Sequence, residues 1–222
     1  MNEVWMSSAL TNYLIGNKQG TADKYFDRDW EPAKFEKPLR PDEVHAAGLR
    51  HVKGEFLERH DFPEASYVFD VKKFSRIGDF FYAGGFVVVR RRLAEILADM
   101  DLGKGELIPY TIYEGDKETP LEEEFFLLNF GEQKDSFLPN QSQKVREFFT
   151  SERHGIEVWN NKYANDNDIA LSSDALRGAD LWFEPKLRMM MFMSERLALA
   201  IQKANIKPDL SLVKCRVIGI EA

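Results

Sequence analysis

The chain has 222 residues and a formal net charge of −7, with 44% hydrophobic and 30% charged residues. That balance excludes a chain too polar to fold, and the acidic excess argues against a nucleic-acid backbone as the main partner. No run approaches the ~18–20 apolar residues of a membrane span, and the opening MNEVWMSSALTNYLIG has neither the basic start nor the apolar stretch of a secretion signal, so a cytoplasmic protein is expected.

Residues 1–75 read as an irregular region packed on the core. GNKQGTADKYFDRDWEPAKFEKPLRPDE is polar and punctuated by Pro32, Pro38 and Pro41, with Tyr25, Phe26, Trp30 and Phe35 as aromatic anchors. ASYVFDVKKF then alternates as a strand does. From Gly78 the pattern is clearer. GDFFYAGGFVVV is apolar and broken by a glycine pair. Leu93, Ile96, Leu97 and Met100 follow at i, i+3, i+4 and i+7, which places them on one face of a helix near 91–101. Gly103 suits the end of that helix, because a helix C-terminus favours a residue that accepts positive φ. ELIPYTIYEGD and EEFFLLNFGEQ read as strands, SQKVREFFTSE as a short helix or a connection, and GIEVWNNKY and DIALSSDAL as two further short strands or a hairpin.

The closing segment repeats the earlier one. Leu197, Ala200, Ile201 and Ala204 reproduce the first apolar face at a constant offset of 104 residues, Arg196 matches Arg92, and DLW at Asp180–Trp182 resembles DFF at Asp79–Phe81. One strand–helix–strand unit used twice, near 78–115 and 180–221, accounts for the match. The fold expected is α+β: a mixed or antiparallel sheet with short amphipathic helices that need the sheet for stability. Residues 76–222 would form this domain, in one globular unit with the N-terminal region.

Motifs that carry chemistry fail on spacing. GKG at 103–105 lacks the Lys-Ser/Thr of a phosphate loop. A calcium loop counted from Asp166 puts Leu171 where glycine belongs and Arg177 where glutamate belongs. His45, His51, His60 and His154 have no metal-binding spacing. The single cysteine, Cys215, lies in the apolar run LVKCRVIGI and reads as a buried, inert thiol. No cofactor, metal or catalytic residue is expected. Two charge runs remain. RRR at 90–92 opens a helix, where cations oppose the helix dipole, so helix stability does not explain it. TPLEEEFF carries Glu122, Glu123 and Glu124 with Glu118 nearby; a wet surface is the plain reading, and steering of a basic protein partner the functional one.

DLWFEPKLRMMMFMSERLALAIQKANI, Asp180–Ile206, resembles the immunity family numbered eleven of bacterial polymorphic toxin systems. The residues that carry the resemblance are Asp180, Leu181, Trp182, Ser194, Glu195, Arg196 and Leu197, and FFLLNFGEQKDS resembles the family's central strand. The resemblance runs from Phe125 onward and implies a protein that neutralises a cognate toxin by binding it, with the matching residues serving as scaffold. The acidic residues Glu118, Glu122, Glu123 and Glu124 are the candidates for contact. No nucleic-acid or membrane partner is expected, and the oligomeric state stays open. The alternative is an enzyme or small-molecule binder with a cleft between the two repeat units.

Overall fold

Two apolar hairpins, each running directly into a short helix, organise the computed structural model, which describes residues 3–12, 20–32, 42–151, 153, 155–161 and 163–219. The strands are β1 (Val4–Ser7), β2 (Thr21–Lys24), β3 (Ala65–Val68), β4 (Phe80–Ala83), β5 (Phe86–Arg90), β6 (Glu106–Tyr113), β7 (Phe125–Asn129), β8 (Val145–Ser151), β9 (Ile156–Asn161), β10 (Ala170–Ser172), β11 (Leu181–Phe183), β12 (Met191–Ser194) and β13 (Leu212–Ile218). The helices are α1 (Asp42–His51), α2 (Val71–Phe74), α3 (Arg91–Ala98) and α4 (Glu195–Ala204). They form an α+β protein with a six-stranded sheet in the order β2-β3-β6-β7-β5-β4, a five-stranded sheet in the order β10-β13-β1-β12-β11, and a separate ribbon of β8 and β9.

The duplication reaches further than the periodicity of the two helices. Strands β3-β6-β7-β5-β4 correspond in order and direction to β10-β13-β1-β12-β11: the first pair of each set is parallel and the rest antiparallel. The register is kept as well. Tyr110 faces Phe125 and Arg90 faces Phe125 in one sheet; Cys215 faces Val4 and Ser194 faces Val4 in the other. The middle strand comes from opposite directions along the chain, from β7 after the first unit and from β1 at the N-terminal side of the second. Residues 4–7, unremarkable in the sequence, are therefore the centre of a sheet.

Strands β1, β4, β5, β7, β11 and β12 are buried on both faces, which is why they read as near-continuous apolar runs, whereas β6 and β13 each keep exposed positions. Alternation decides which core each side chain enters. Phe80, Val87 and Val89 join Leu181, Met191, Met193 and Trp5 in one core, and both helices pack into it through Leu93, Ala94 and Leu97 and through Leu197, Ala198 and Ile201. These helix positions match one for one at the offset of 104. Burying each leucine contributes roughly 1.5–3 kcal/mol, which a helix of two or three turns needs in order to persist. The outer face of the six-stranded sheet carries Phe81, Val88 and Leu127 under α1; the outer face of the five-stranded sheet carries Trp182, Phe192 and Met6.

Several local expectations change. The glycine pair closes a two-residue hairpin between Ala83 and Phe86, with φ of 61° at Gly84 and 91° at Gly85, the left-handed values that such a turn requires. Helix α3 ends at Ala98 with Asp99 as its cap, so Gly103 is no helix stop; it takes its φ of 62° in the following turn, donating to Asp101. SQKVREFFTSE holds strand β8, not a helix. Phe35, Pro38, Pro41 and His154 lie outside the described residues.

Candidate functional site

The hairpin turns of the two units point to the same place. Tyr82, Gly84 and Gly85 from the first, and the segment Phe183–Met189 from the second, line a cleft of about 1620 Å³. Tyr82 and Phe183 hold equivalent positions, each pairing across its hairpin one place beyond an outward-facing aromatic, Phe81 or Trp182. Helix α1 and the ribbon of β8 and β9 close other sides.

The ribbon is the unusual wall. Phe148 is 54% exposed and Phe149 52% exposed, and both line the cleft although they are neighbours on one strand. Simple alternation would send them to opposite faces. A β-bulge between Glu147 and Phe149 breaks the alternation, because Glu147 pairs with Trp159 and Phe149 with the adjoining Val158. Arg188 stands over the ring of Phe148 at 5.0 Å. Strand β9 is tied down on its far side, where Trp159 N–H donates to Lys186 and Arg188 N–H donates to Trp159. Strand β8 has β9 on one side and, among the described residues, pairs with no strand on the other.

Six carboxylates line the cleft against three cations. Several are already engaged: Asp135 pairs with Lys186 at 2.9 Å, Glu55 with Arg50 at 3.0 Å, and Glu157 accepts from the Trp159 indole. Glu184 is buried among four donors, the N–H and hydroxyl of Ser136, Phe137 N–H and the Trp182 indole; burial still pushes its carboxyl upward. The Tyr82 hydroxyl is buried without a hydrogen-bond partner among the described residues, and burial raises it, so it stays neutral.

The residues singled out in the sequence fall elsewhere. Glu118, Glu122, Glu123 and Glu124 are exposed. Glu123 pairs with Arg90 and Glu124 with Arg91 at 3.2 Å, which explains the arginine run: two of its members fasten the acidic segment to the start of α3. Arg90 also lies over Phe74 and Phe125. Arg92 makes no ion pair among the described residues, unlike its repeat mate Arg196. That arginine binds Asp180, which also accepts from the Ser194 hydroxyl and from Asp101 N–H at 2.8 Å. Burial alone would raise the Asp180 carboxyl; the three donors outweigh it and hold it below the usual range. Ser194 caps α4 by accepting from Leu197 N–H, Leu197 is buried, and Glu195 accepts from Glu3 N–H.

Trp182 is buried beneath Lys134, whose ammonium sits 3.4 Å from the ring and donates to the carbonyls of Ala175 and Ala179. Burial lowers Lys134 to about 8. Asp180, Trp182, Ser194, Glu195 and Arg196 border a smaller cavity of about 370 Å³ there. Of the histidines, His51 is buried among Phe62, Phe86 and Phe130, accepts from Val87 N–H and is pushed down to about 3 by burial; His60 is exposed and His45 lines the cleft. Cys215 is buried and its thiol is pushed up, so it carries no thiolate near neutrality. Among the described residues no cluster of three or more His, Cys, Asp or Glu could hold a metal ion, and no helix is long and apolar enough to cross a membrane.

The cleft wall escaped sequence reading because a bulge hid the strand, and its one signal was FF in a charged setting. The model of the immunity protein family Imm11 matches residues 17–212, and the chain belongs to that family. The match extends well beyond the C-terminal half that carried the resemblance. No curated protein matches the chain.

Proposed function

We propose that this Imm11 member binds a cognate bacterial toxin in the cytoplasm and neutralises it by occlusion, using the cleft and its aromatic ribbon as the contact surface and no catalysis of its own. The observation that carries this reading is the exposure of Phe148 and Phe149 at the rim of a cleft larger than the ~300–1,000 Å³ typical of small-molecule sites. Two neighbouring aromatics over half exposed are costly to leave in water and are the residue type that anchors protein interfaces. The acidic run Glu118, Glu122, Glu123 and Glu124 contributes steering at longer range, helped by the net charge of −7.

The alternative, an enzyme or small-molecule binder, draws on the cleft lying where both units meet. Against it, the lining carboxylates just described are held by their own partners, and the one that meets a hydroxyl, Glu184 beside Ser136, is itself buried and occupied by three further donors. The test is co-expression with the toxin encoded by the adjacent gene, followed by titration of the purified pair. Protection of the cells together with a stoichiometric complex supports the proposal; protection with turnover of a toxin product and no complex overturns it.

A further inference from the structure

Strand β8 leaves a seven-residue edge, Val145–Ser151, without a second neighbour among the described residues. Such an edge offers a row of backbone donors and acceptors to any extended chain. Natural edges are usually short, covered or heavily charged; this one carries Arg146 and Glu147, followed by two phenylalanines turned by the bulge to line the cleft. The other edge of the ribbon is occupied by Lys186 and Arg188, so an added strand has one side available. The surroundings are acidic, with six lining carboxylates and three cations. Ile156, 44% exposed on β9, extends the apolar strip beside the phenylalanines.

We propose, resting on the toxin-binding reading above, that the occupant is an extended, basic segment of the toxin that adds to β8 as a third strand. Every second side chain of that segment falls on the cleft side, where apolar residues cover Phe148, Phe149 and Ile156 and basic residues enter the negative field of a lining with six carboxylates against three cations. Backbone pairing supplies affinity with little sequence demand, and the bulge and the charge supply the choice of register and partner.

The probe is the toxin domain encoded by the adjacent gene, carrying an inactivating substitution, with the full chain as binding partner. Hydrogen exchange is measured by mass spectrometry and NMR with and without it. The outward amides of Val145–Ser151 should slow by about tenfold or more on binding. The double variant F148A/F149A should lose about tenfold or more in Kd, with an unchanged melting curve because both side chains are largely exposed. Affinity should fall as salt rises. Binding with no protection along β8 and unchanged affinity of the double variant overturns strand addition while leaving the toxin-binding reading in place. Failure of the toxin to bind the wild-type chain overturns that reading, and this inference with it. A salt-independent affinity removes the basic partner, and a dimer of the free chain that F148A/F149A dissociates assigns the edge to a second copy. Protection is measured on the wild-type chain, so a variant that fails to fold does not block the test.

Discussion

Asp79 and Asp180 hold each other's repeat unit. Asp79 donates its N–H to the carbonyl of Lys207 and accepts Lys207 N–H on its carboxylate at 2.9 Å; Asp180 donates its N–H to the carbonyl of Asp101 and accepts Asp101 N–H at 2.8 Å. Lys207 follows α4 and Asp101 follows α3, so each aspartate at the start of one hairpin grips the chain beyond the other unit's helix. Each aspartate carbonyl also accepts, at 2.9 Å, from the last residue of its own hairpin, Arg90 or Ser194. Reciprocity of this kind is what an interface between two copies of one element produces. Gly78 is required by it, since a Cβ there would lie 2.1 Å from the Lys207 carbonyl oxygen.

Equivalent positions should carry equivalent stability. Leu93→Ala and Leu197→Ala each remove a buried side chain from the shared core and should each cost about 2–5 kcal/mol. Chemical denaturation measures both. Because α3 and α4 touch the same core, the double variant should deviate from the sum of the singles, and strict additivity would mean the helices act on separate cores.

The Asp180 carboxyl lies below its ordinary value in the folded chain, so the unfolded chain binds a proton first as pH falls. The stabilisation is then complete above the unfolded value, about 4, and is lost as pH drops through the folded one. Asp180→Asn should cost about 1–2 kcal/mol near neutrality, with the solvent-facing Arg196 responsible for the smaller part. The gap between wild type and variant should narrow in melts below about pH 4. A gap independent of pH would place the loss in packing and not in the charge.

Lys134 gives a slope of the same sign in a different pH window. Burial lowers it to about 8 in the folded chain, against about 10.4 for an unfolded lysine. Between those values the unfolded chain carries more protons, so stability rises with pH across the window. Lys134→Met keeps the stem over Trp182 and removes the titration. Its stability relative to wild type should fall as pH rises from about 8 to 10, which melts at three pH values would register.

The legible parts of the sequence were those in which one unit carries its own pattern. The helix faces at Leu93 and Leu197 and the Asp180–Leu197 motif depend on neighbours within about 20 residues. What stayed hidden depends on distant partners. Val4–Ser7 becomes a central strand only because β12 and β13 flank it, nearly 190 residues away or more. Phe148 and Phe149 face the cleft through a bulge that alternation cannot forecast. The acidic run was visible as charge, but its pairing with Arg90 and Arg91 needed the fold to bring the two segments together.

Steering and contact should separate kinetically. Rim charges act before the partners touch, so they change association more than dissociation; buried anchors do the reverse. Glu122, Glu123 and Glu124 changed together to lysine should slow association with the toxin about tenfold at low ionic strength, and the effect should shrink toward nothing near 1 M salt, where the screening length is about 3 Å. The reversal puts new cations beside Arg90 and Arg91, where Glu123 and Glu124 now pair with them, so its melting curve must be recorded alongside; a loss beyond about 1 kcal/mol would confound the rates, and Glu118→Lys with Glu122→Lys, which breaks no observed ion pair, then serves instead. F148A/F149A should leave association within a few-fold and speed dissociation. Stopped-flow mixing with the inactivated toxin at three salt concentrations measures both rates. Faster dissociation from the glutamate variant, with F148A/F149A indistinguishable from wild type, would move the contact surface from the cleft to the acidic run.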